Sequence, residues 1–422
     1  MIDKRMLEKV LSEQKDEIRV LSQKPFCKRQ EESRINLKSN LAQVVIGVRR
    51  SGKSTLCFNV LKKAKVLFAY INFDDERLIA LNGDDLNNAL EVLYKIYGDF
   101  KYLFIDEIQN IPEWFLFVNR LLRQGMHIVI TGSNAKLLSG ELATHLTGRH
   151  SQIELFPFSF SEYCAVKNVD ATSFTTKAIA FRRAAFDEYL KRGGFPELLY
   201  EKDERAYISG LVENILSQDI QKRYSIRYSG VFKKLANHLL NNAPTIIVNN
   251  ELQNLFRLRS LHTAENYVGY LKQAYLLVGL QKYSTKSKLR IRDEKVYPVD
   301  VALMSNRKNA FVGDNFGWRL ETAVYIELLR RCKNEADIYY YAETSCEADF
   351  VICQGNKALQ IIQVSYSIMN EKTKKREIRG LLQASKSTGC KELLIITDHE
   401  YENIVNEDIV IRVVPAYEWM LE

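Results

Sequence analysis

Between residues 41 and 157, short apolar runs alternate with longer stretches in which apolar residues recur at helical spacing. The runs predict strands at residues 44–46, 66–71, 102–105, 127–130 and 152–156. The stretches between them predict helices at 56–61, 86–96 and 111–122, with a short helix around Leu137. Strands that alternate with helices form a parallel sheet covered by helices. The predicted fold class is therefore α/β.

Helical patterns precede and follow this predicted sheet. Apolar residues at near-helical spacing predict a leading helix within residues 2–21, and a polar, basic connector follows at 22–37. Residues 158–225 lose the strand periodicity and predict helices, among them 181–191 and 207–217. We interpret 158–225 as a helical subdomain attached to the sheet.

The next segment, residues 226–302, has a different pattern. Helical patterns at 231–240 and 262–280 precede short strand patterns at 276–283 and 295–301. Ser260 is placed to cap the second helix, because its hydroxyl can accept from a free backbone N–H group. This order of elements is typical of a winged helix.

The last third of the chain predicts another α/β unit. An amphipathic helix begins near Leu320 and leads into strand patterns at 338–341, 350–353, 358–364 and 393–397. We expect these elements to form a separate unit.

Composition bounds the class of protein. The 422 residues are 46% hydrophobic and 27% charged, which is a globular composition on a chain too long for one ordinary core. The net charge of +8 permits a nucleic-acid partner without demanding one. The seven cysteines include no CxxC pair, and no run of 18 apolar residues occurs. We therefore expect free thiols, no membrane span and a cytoplasmic location.

One segment carries a complete phosphate-binding motif. GVRRSGKST matches GxxxxGK[ST] between a predicted strand and a predicted helix. Glycines allow a tight loop whose N–H groups surround phosphates, and the following helix presents the positive end of its dipole. The side chain of Lys53 can reach the β- and γ-phosphates, and Ser54 can bind Mg²⁺. The predicted nucleotide-binding residues are Gly47, Val48, Arg49, Arg50, Ser51, Gly52, Lys53, Ser54 and Thr55.

A magnesium-binding acid should follow another buried strand. Asp106 emerges at the carboxyl end of the apolar run 102–105, where ligands of parallel sheets bind. Glu107 is the candidate base that orients and deprotonates the attacking water. After the strand at 127–130, Ser133 or Asn134 is placed to sense the γ-phosphate, and either could instead cap the next helix.

The motifs resemble those of a large family of prokaryotic AAA+ superfamily ATPases, which are related to archaeal-type ATPases and carry a C-terminal domain of unknown function. The matching segments are GVRRSGKST, FIDEIQN, ITGSNAKLL, LTGRHSQIELFPFSFSEY and KRGGFPE. The resemblance implies ATP and Mg²⁺ as ligands and a P-loop strand flanked by the sensor strand. It also makes Arg149 a candidate arginine finger or phosphate sensor, in the same subunit or a neighbouring one, with a plain surface arginine as the alternative.

The predicted domains follow from the patterns and this resemblance. They are an N-terminal helix and connector at 1–40, a P-loop AAA+ ATPase core at 41–157, a helical lid at 158–225, a winged-helix-like domain at 226–302 and a C-terminal α/β domain at 303–422.

Basic residues cluster where the winged helix would have its wing. They are Lys282, Lys286, Lys288, Arg290 and Arg292. Positive charge on a wing favours contacts with the phosphates of DNA. The predicted second helix is mixed in charge, however, and winged helices also dock proteins. Double-stranded DNA and an unidentified protein are therefore both candidate partners.

The C-terminal unit resembles restriction-endonuclease-like folds, which cut phosphodiesters with metal held by acids and with a nearby lysine. Glu321 and Asp349 occupy acid positions, but Gln363 and Ser365 stand where that pattern has an acid and the lysine. An amide is a poor ligand for a hard metal, and serine carries no positive charge. We therefore expect an inactive scaffold without nuclease activity.

Two hypotheses remain open from sequence. In the first, the protein hydrolyses Mg-ATP and couples the resulting conformational change to DNA or a protein. In the second, nucleotide only gates a DNA-binding regulatory or defence protein without appreciable turnover. Glu107 favours the first, because binding alone needs no water-activating carboxylate. Assembly into an oligomer is compatible with either.

Overall fold

The computed structural model describes residues 3–23, 26–133, 146, 148–284, 293–305, 307, 310, 315–333, 335–343, 346–406 and 408–422. These residues belong to two compact units. The first is Met1–Leu155 with Gln273–Tyr275, and the second is Phe156–Lys272 with Leu276–Glu422. Within the described ranges, no helix has both the length and the apolar character needed to cross a lipid bilayer.

The first unit contains a five-stranded parallel sheet in the order β2, β3, β4, β1, β5. Its strands are β1 (Ala42–Ile46), β2 (Phe68–Asn72), β3 (Tyr102–Asp106), β4 (His127–Gly132) and β5 (His150–Glu154). Its helices are α1 (Lys4–Leu21), α2 (Lys53–Lys63), α3 (Leu86–Tyr97) and α4 (Trp114–Arg123). This confirms the predicted P-loop NTPase-type α/β fold, and β1 pairs with β4, as the family resemblance implies. The short helix predicted around Leu137 lies outside the described residues.

The central strands of this sheet are buried on both faces. All five residues of β1 are buried, as are the last four of β3. Val45, Phe104, Val129 and Ile153, from four different strands, belong to one apolar cluster. Continuous apolar strands are expected where helices cover both faces of a parallel sheet. The carboxyl ends of these strands therefore meet at one edge.

Helix α1 supplies one side chain, Gln14, that forms hydrogen bonds with backbone groups of the edge strand β2. The carboxamide of Gln14 donates from Nε2 to the carbonyl of Asn72 at 3.0 Å and accepts from the Asn72 N–H group at 3.0 Å. Unpaired strand edges invite association with other chains. Gln14 is buried and takes the place that a neighbouring strand would otherwise fill.

The second unit is built on a mixed nine-stranded sheet in the order β13, β14, β12, β11, β10, β9, β7, β8, β6. The strands are β6 (Thr245–Ile246), β7 (Leu277–Lys282), β8 (Glu294–Pro298), β9 (Asp337–Glu343), β10 (Cys346–Gln354), β11 (Lys357–Val364), β12 (Leu393–Thr397), β13 (Glu402–Asn406) and β14 (Ile409–Pro415). The helices are α5 (Phe160–Val166), α6 (Thr176–Arg192), α7 (Glu204–Asn214), α8 (Ser229–Asn242), α9 (Asn249–Phe256), α10 (Leu261–Gln273), α11 (Ala302–Ser305), α12 (Phe316–Cys332), α13 (Glu371–Thr388) and α14 (Ala416–Trp419). A π-helical segment (Ile215–Gln221) and a last turn (Lys222–Tyr224) continue α7.

Two apolar clusters cover opposite faces of this sheet. Phe350 belongs to one cluster together with Val324 of α12, and the next residue, Val351, belongs to the other together with Leu381 of α13. Successive strand residues point to opposite faces, so this alternation places α12 and α13 on the two sides of the sheet. Gly380 lets α13 approach closely, because a Cβ atom there would lie 2.2 Å from the backbone oxygen of Glu347.

The helix predicted over residues 262–280 was wrong at its end. Helix α10 ends at Gln273, and Val278 lies on β7. Tyr275 has a left-handed φ of +57°, and the N–H group of Leu276 donates to the carbonyl of Leu271. These features are typical of a helix C-terminus. Sequence periodicity also missed α9, whose residues are mostly polar.

The C-terminal third is not a separate unit in the structure. Strand β9 pairs with β7 through the register Gln281 to Tyr339 and Lys282 to Tyr340, so one sheet joins the middle and last segments. The prediction of a separate unit was wrong because the sequence shows strands but not which strands pair across distant segments. Strands β13 and β14 and helix α13 were not predicted.

Candidate functional site

The loop between β1 and α2 has a conformation that depends on glycine. Gly47 has a φ of +147°, and a Cβ atom there would lie 2.1 Å from the backbone oxygen of Leu155. Gly52, at the start of α2, has a φ of +94°. Side chains with a Cβ rarely adopt these angles. The two glycines of the motif are therefore required by the backbone itself.

Lys53 lies in the concave side of this loop. It is buried, and its Nζ donates to the carbonyl oxygens of Gly47 at 3.1 Å and Val48 at 3.0 Å. The Oγ atom of Ser51 is buried and has no hydrogen-bond partner among the described residues. A buried polar atom without a partner costs about 1–3 kcal/mol. The loop therefore holds a cation and an unsatisfied hydroxyl, features that suit a bound phosphate.

Asp106 is held by side chains from three other elements. Its Oδ1 accepts from Ser54 Oγ at 3.0 Å and from Thr131 Oγ1, and its Oδ2 accepts from Tyr70 OH at 3.2 Å. Burial and the neighbouring Glu107 raise the pKa of Asp106 to about 6, although the hydrogen bonds from Thr131 and Ser54 act in the opposite direction. The hydroxyl of Ser54 follows the P-loop and lies next to the carboxylate of Asp106. These two oxygen groups suit Mg²⁺, a cation that prefers oxygen ligands.

Glu107 occupies a strained position beside this acid. Its φ is +51°, a left-handed angle that is uncommon for residues other than glycine. Its Oε2 accepts from Ser133 N at 3.2 Å, from Ser133 Oγ at 3.0 Å and from Gln109 Nε2. Burial opposes the charge of Glu107, but Lys53 and these hydrogen bonds lower its pKa below the usual value. The carboxylate is therefore ionised at neutral pH, as a base must be.

The sequence-predicted site residues do not all meet here. Lys53, Ser54, Asp106, Glu107 and Ser133 converge within the first unit, and Arg50, Ser51, Val48 and Thr55 lie on the loop or the first turn of α2. Arg49 forms an ion pair with Asp74 at 2.9 Å. Asn134 lies outside the described residues.

Arg149 does not reach this site within its own chain. It precedes His150, which lies opposite Ala42 at the amino end of β1, whereas the P-loop follows the carboxyl end. Five strand residues span about 16 Å. The same-subunit role predicted for Arg149 was wrong, since sequence alone does not show at which end of a strand a neighbouring residue lies. A role toward a neighbouring subunit stays a prediction.

Four residues of this site were not predicted. Tyr70 and Thr131 bind Asp106, and Gln109 binds Glu107. Arg29 is buried and donates from Nη1 to the backbone oxygen of Ser51 at 3.1 Å. The sequence could have indicated Thr131, because this polar residue directly follows the predicted strand at 127–130. Arg29 and Tyr70 had none, since they contact the site only through tertiary packing.

A second polar cluster lies in the second unit around Lys295 of β8. Its Nζ lies 2.9 Å from Glu321, 3.0 Å from Glu347 and 3.8 Å from Asp349, and only 9% of the side chain is exposed. Burial opposes the charge, but the carboxylates of Glu321, Asp349 and Glu347 raise the pKa of Lys295. The cluster borders a cavity of about 650 Å³. An ammonium group from β8 thus lies beside Glu321 and Asp349, the two acids that the sequence singled out, and beside Glu347.

The neutral residues of this cluster have structural partners. The Oε1 atom of Gln363 accepts from the N–H group of Asp349 at 3.3 Å, and Ser365 Oγ donates to the backbone oxygen of Ser367 at 3.1 Å. Asp349 accepts from the N–H group of Val364 at 2.8 Å. Burial and the charge of Glu321 raise the pKa of Asp349. Sequence reasoning missed Lys295 because it belongs to a distant strand and approaches the acids only through the pairing of the sheet.

Replacing Lys295 by methionine should destabilise the protein by about 3–5 kcal/mol at pH 8, because buried carboxylates lose their counter-charge. The effect should shrink as pH falls. In the variant, loss of the ammonium group raises the pKa values of these carboxylates in the folded state further above their values in the unfolded chain. Protonation at low pH removes the unpaired negative charges, so the destabilisation is smaller there. Urea unfolding at pH 5 and pH 8 measures this effect.

The matched control is Lys282→Met, since Lys282 lies 3.8 Å from Asp293 in a more exposed pair. Exposed pairs contribute about 0–1 kcal/mol. Equal destabilisation in the two variants, or a destabilisation at Lys295 that does not change with pH, would contradict the assignment of Lys295 as the counter-charge.

Three family models match the chain in series. An AAA domain matches residues 39–164, a domain of unknown function (DUF8612) matches 183–311, and a second domain of unknown function (DUF4143) matches 316–419. Among solved structures, the chain is similar to the Walker-type ATPase PABY2304 of Pyrococcus abyssi, with 16% identity, a TM-score of 0.39 and coverage of 67% of this chain and 98% of the other. The RuvB Holliday junction branch migration motor of Thermotoga maritima gives 16% identity, a TM-score of 0.30 and coverage of 67% and 91%.

Two relatives match over nearly their whole length. The uncharacterized protein MJ1544 of Methanocaldococcus jannaschii is 36% identical over 439 residues, covering 100% of this chain and 96% of the relative. An uncharacterized protein of Haemophilus influenzae is 30% identical over 401 residues, covering 91% of this chain and 95% of the relative. The chain therefore belongs to the family of the uncharacterized protein MJ1544, and it carries an AAA domain with a P-loop ATPase fold.

Proposed function

We propose that this protein hydrolyses Mg-ATP and uses the reaction to switch between conformations. The observation that carries the proposal is the convergence of Lys53, Ser54, Asp106, Glu107 and Ser133 at one end of the parallel sheet. A phosphate-binding loop, a magnesium-type acid and an ionised base are the groups that phosphoryl transfer to water requires.

Each group has a distinct task. Lys53 would exchange the carbonyl oxygens of Gly47 and Val48 for phosphate oxygens. Ser54 and Asp106 would hold Mg²⁺, which supplies positive charge next to the phosphates. The carboxylate of Glu107 would take a proton from the attacking water at Oε1 or Oε2, and Ser133 would fix its orientation.

The alternative is a nucleotide-gated protein without appreciable turnover. The environment of Glu107 favours hydrolysis, because three hydrogen bonds and Lys53 keep the carboxylate charged. A pure binding site gains nothing from an ionised carboxylate beside phosphates, since like charges repel.

The second unit is proposed to transmit the change to a partner. The order α8, β6, α9, α10, β7, β8, with β6 and β7 both antiparallel to β8, supports the winged-helix interpretation of residues 226–302. We retain the predicted domain boundaries at residues 41, 158 and 226 as proposals, whereas the segments on either side of residue 303 share one sheet. Lys282 at the base of the wing forms an ion pair with Asp293, and Lys286, Lys288 and Arg290 lie outside the described residues.

The C-terminal segment is proposed to be an inactive scaffold of the endonuclease-like type. The ammonium group of Lys295 already neutralises part of the charge of Glu321, Glu347 and Asp349. The positive charge of Lys295 would repel a metal ion bound to the same carboxylates. This segment, the winged helix, or both would contact DNA or a protein.

Lys53→Ala and Glu107→Gln should separate binding from turnover. Lys53→Ala should abolish both, whereas Glu107→Gln should keep ATP affinity within about threefold and lower kcat by roughly 10²–10⁴-fold, the range for removal of a general base. Steady-state phosphate release and isothermal titration calorimetry measure the two quantities.

The control for these variants is Glu113→Gln, an exposed acid that precedes α4 in the same unit. It should behave as the wild type. If Glu107→Gln turned over as fast as the wild type, Glu107 would not be the base. If the wild type bound ATP without any Mg²⁺-dependent turnover, the nucleotide-gated alternative would replace the proposal.

Tyr70→Phe should weaken nucleotide binding only when Mg²⁺ is present. The variant lacks one hydrogen bond to the Asp106 carboxylate, worth about 1.5 kcal/mol, so the Mg²⁺-dependent affinity should fall about tenfold. Calorimetric titration with ADP, with and without Mg²⁺, measures the difference. The exposed Tyr94→Phe serves as control. An equal fall under both conditions would indicate general damage to the sheet.

A further inference from the structure

A patch in the second unit combines positive charge with aromatic rings. Residues 222–234 contain five basic side chains and no acid. We define the basic-aromatic surface by the exposed basic and aromatic residues of this segment and of the α9–α10 turn. Its members are Lys222, Arg227, Tyr228, Lys234, Arg257 and Arg259.

Tyr228 brings two segments of this surface together. Its ring is 44% exposed, and the guanidinium carbons of Arg227 and Arg259 lie 5.7 Å and 5.5 Å from the ring centre. Contact with the ring face orients each guanidinium and attracts its charge. Nearby, Tyr224 stacks on Tyr270 of α10, with ring centres 3.9 Å apart and planes at 10°. The segment is thus packed against α10.

The charges of this surface are available to a partner. Within the described ranges, no carboxylate forms an ion pair with Arg227, Arg257 or Arg259. Other basic residues of the same unit are paired, such as Lys233 with Glu213 and Lys272 with Glu294. Two like charges near one ring repel each other, and a bound anion offsets that repulsion. The arrangement therefore suits a partner with closely spaced negative charges.

We propose that the basic-aromatic surface binds the phosphate backbone of duplex DNA. Arginine forms paired hydrogen bonds with phosphates. The guanidinium groups of Arg227 and Arg259 contact the same Tyr228 ring, so the closely spaced phosphates of DNA can bind both. Helix α10 begins at Leu261, directly after this surface, and its exposed first residues, Leu261, His262 and Glu265, would lie beside the bound backbone. B-form DNA admits a helix in its major groove, whereas A-form RNA does not.

Binding of DNA to this surface is argued independently of the ATP site. Only the coupling of that binding to ATP hydrolysis rests on the proposed function. The predicted wing contacts at Lys282, Lys286, Lys288 and Arg290 are a different set of residues. The surface lies on the last turn that continues α7, the loop before α8, α8 itself and the α9–α10 turn, none of which belongs to the ATP site.

The test is fluorescence anisotropy of full-length protein with a 25-base-pair DNA duplex, over roughly 50–300 mM salt. The double variant Arg227→Gln/Arg259→Gln should weaken binding about tenfold or more near 100 mM salt. It should also reduce the slope of log K against log salt by about 2, one for each phosphate that the variant no longer neutralises. Tyr228→Leu should weaken binding, and Tyr228→Phe should retain it because the ring remains.

The matched control is Lys391→Gln/Arg412→Gln, which removes the same charge from exposed positions elsewhere in this unit. It should bind like the wild type. The proposal is overturned if the Arg227/Arg259 variant keeps wild-type affinity and slope, if no duplex binds, if duplex RNA binds more tightly than DNA, or if poly-glutamate of equal charge competes as well as DNA.

ATPase assays of the same variants keep the two proposals distinguishable. Basal turnover should be unchanged in the Arg227/Arg259 variant. If the wild type binds DNA as described but does not hydrolyse ATP, the proposed function fails and the surface stands. If it hydrolyses ATP but the surface variant binds DNA normally, only the surface assignment fails.

Discussion

Asp106 is a buried carboxylate, and both of its oxygens must be satisfied within the protein. Ser54 from α2, Thr131 from β4 and Tyr70 from β2 supply the hydrogen bonds. An unpaired buried charge costs several kcal/mol, so these three elements are fixed around the end of β3. The same arrangement places the P-loop beside Glu107. Asp106 therefore links α2, β2 and β4 at the point where the chemical site is assembled.

The second unit contains a buried charge that is satisfied differently. Lys295 lies among three carboxylates contributed by α12 and β10, so the cluster contains its own cation. At Asp106, neutral hydroxyl groups are the partners, and a metal ion can replace their hydrogen bonds. This contrast favours chemistry at the first cluster and a scaffold role for the second, although both contain buried carboxylates.

Sequence predicted the first unit well because its signals are local. GVRRSGKST and the Asp106-Glu107 pair each follow an apolar strand, and parallel sheets bring such ends together. Contacts between distant segments were not predictable. Tyr70 lies 36 residues from Asp106, and Lys295 lies 52 residues from Glu347. The end of α10 was also missed, because apolar spacing continued into β7 while the backbone turned at Tyr275.

A crystal structure with Mg²⁺ and a slowly hydrolysed ATP analogue tests the central claim most directly. We expect the Lys53 ammonium to leave the carbonyl oxygens of Gly47 and Val48 and to bind the β- and γ-phosphates, with Mg²⁺ contacting Ser54 Oγ and a water poised near Glu107. A nucleotide bound elsewhere, or a P-loop in which Lys53 keeps both carbonyl partners at saturating ligand, would contradict the assignment of this site.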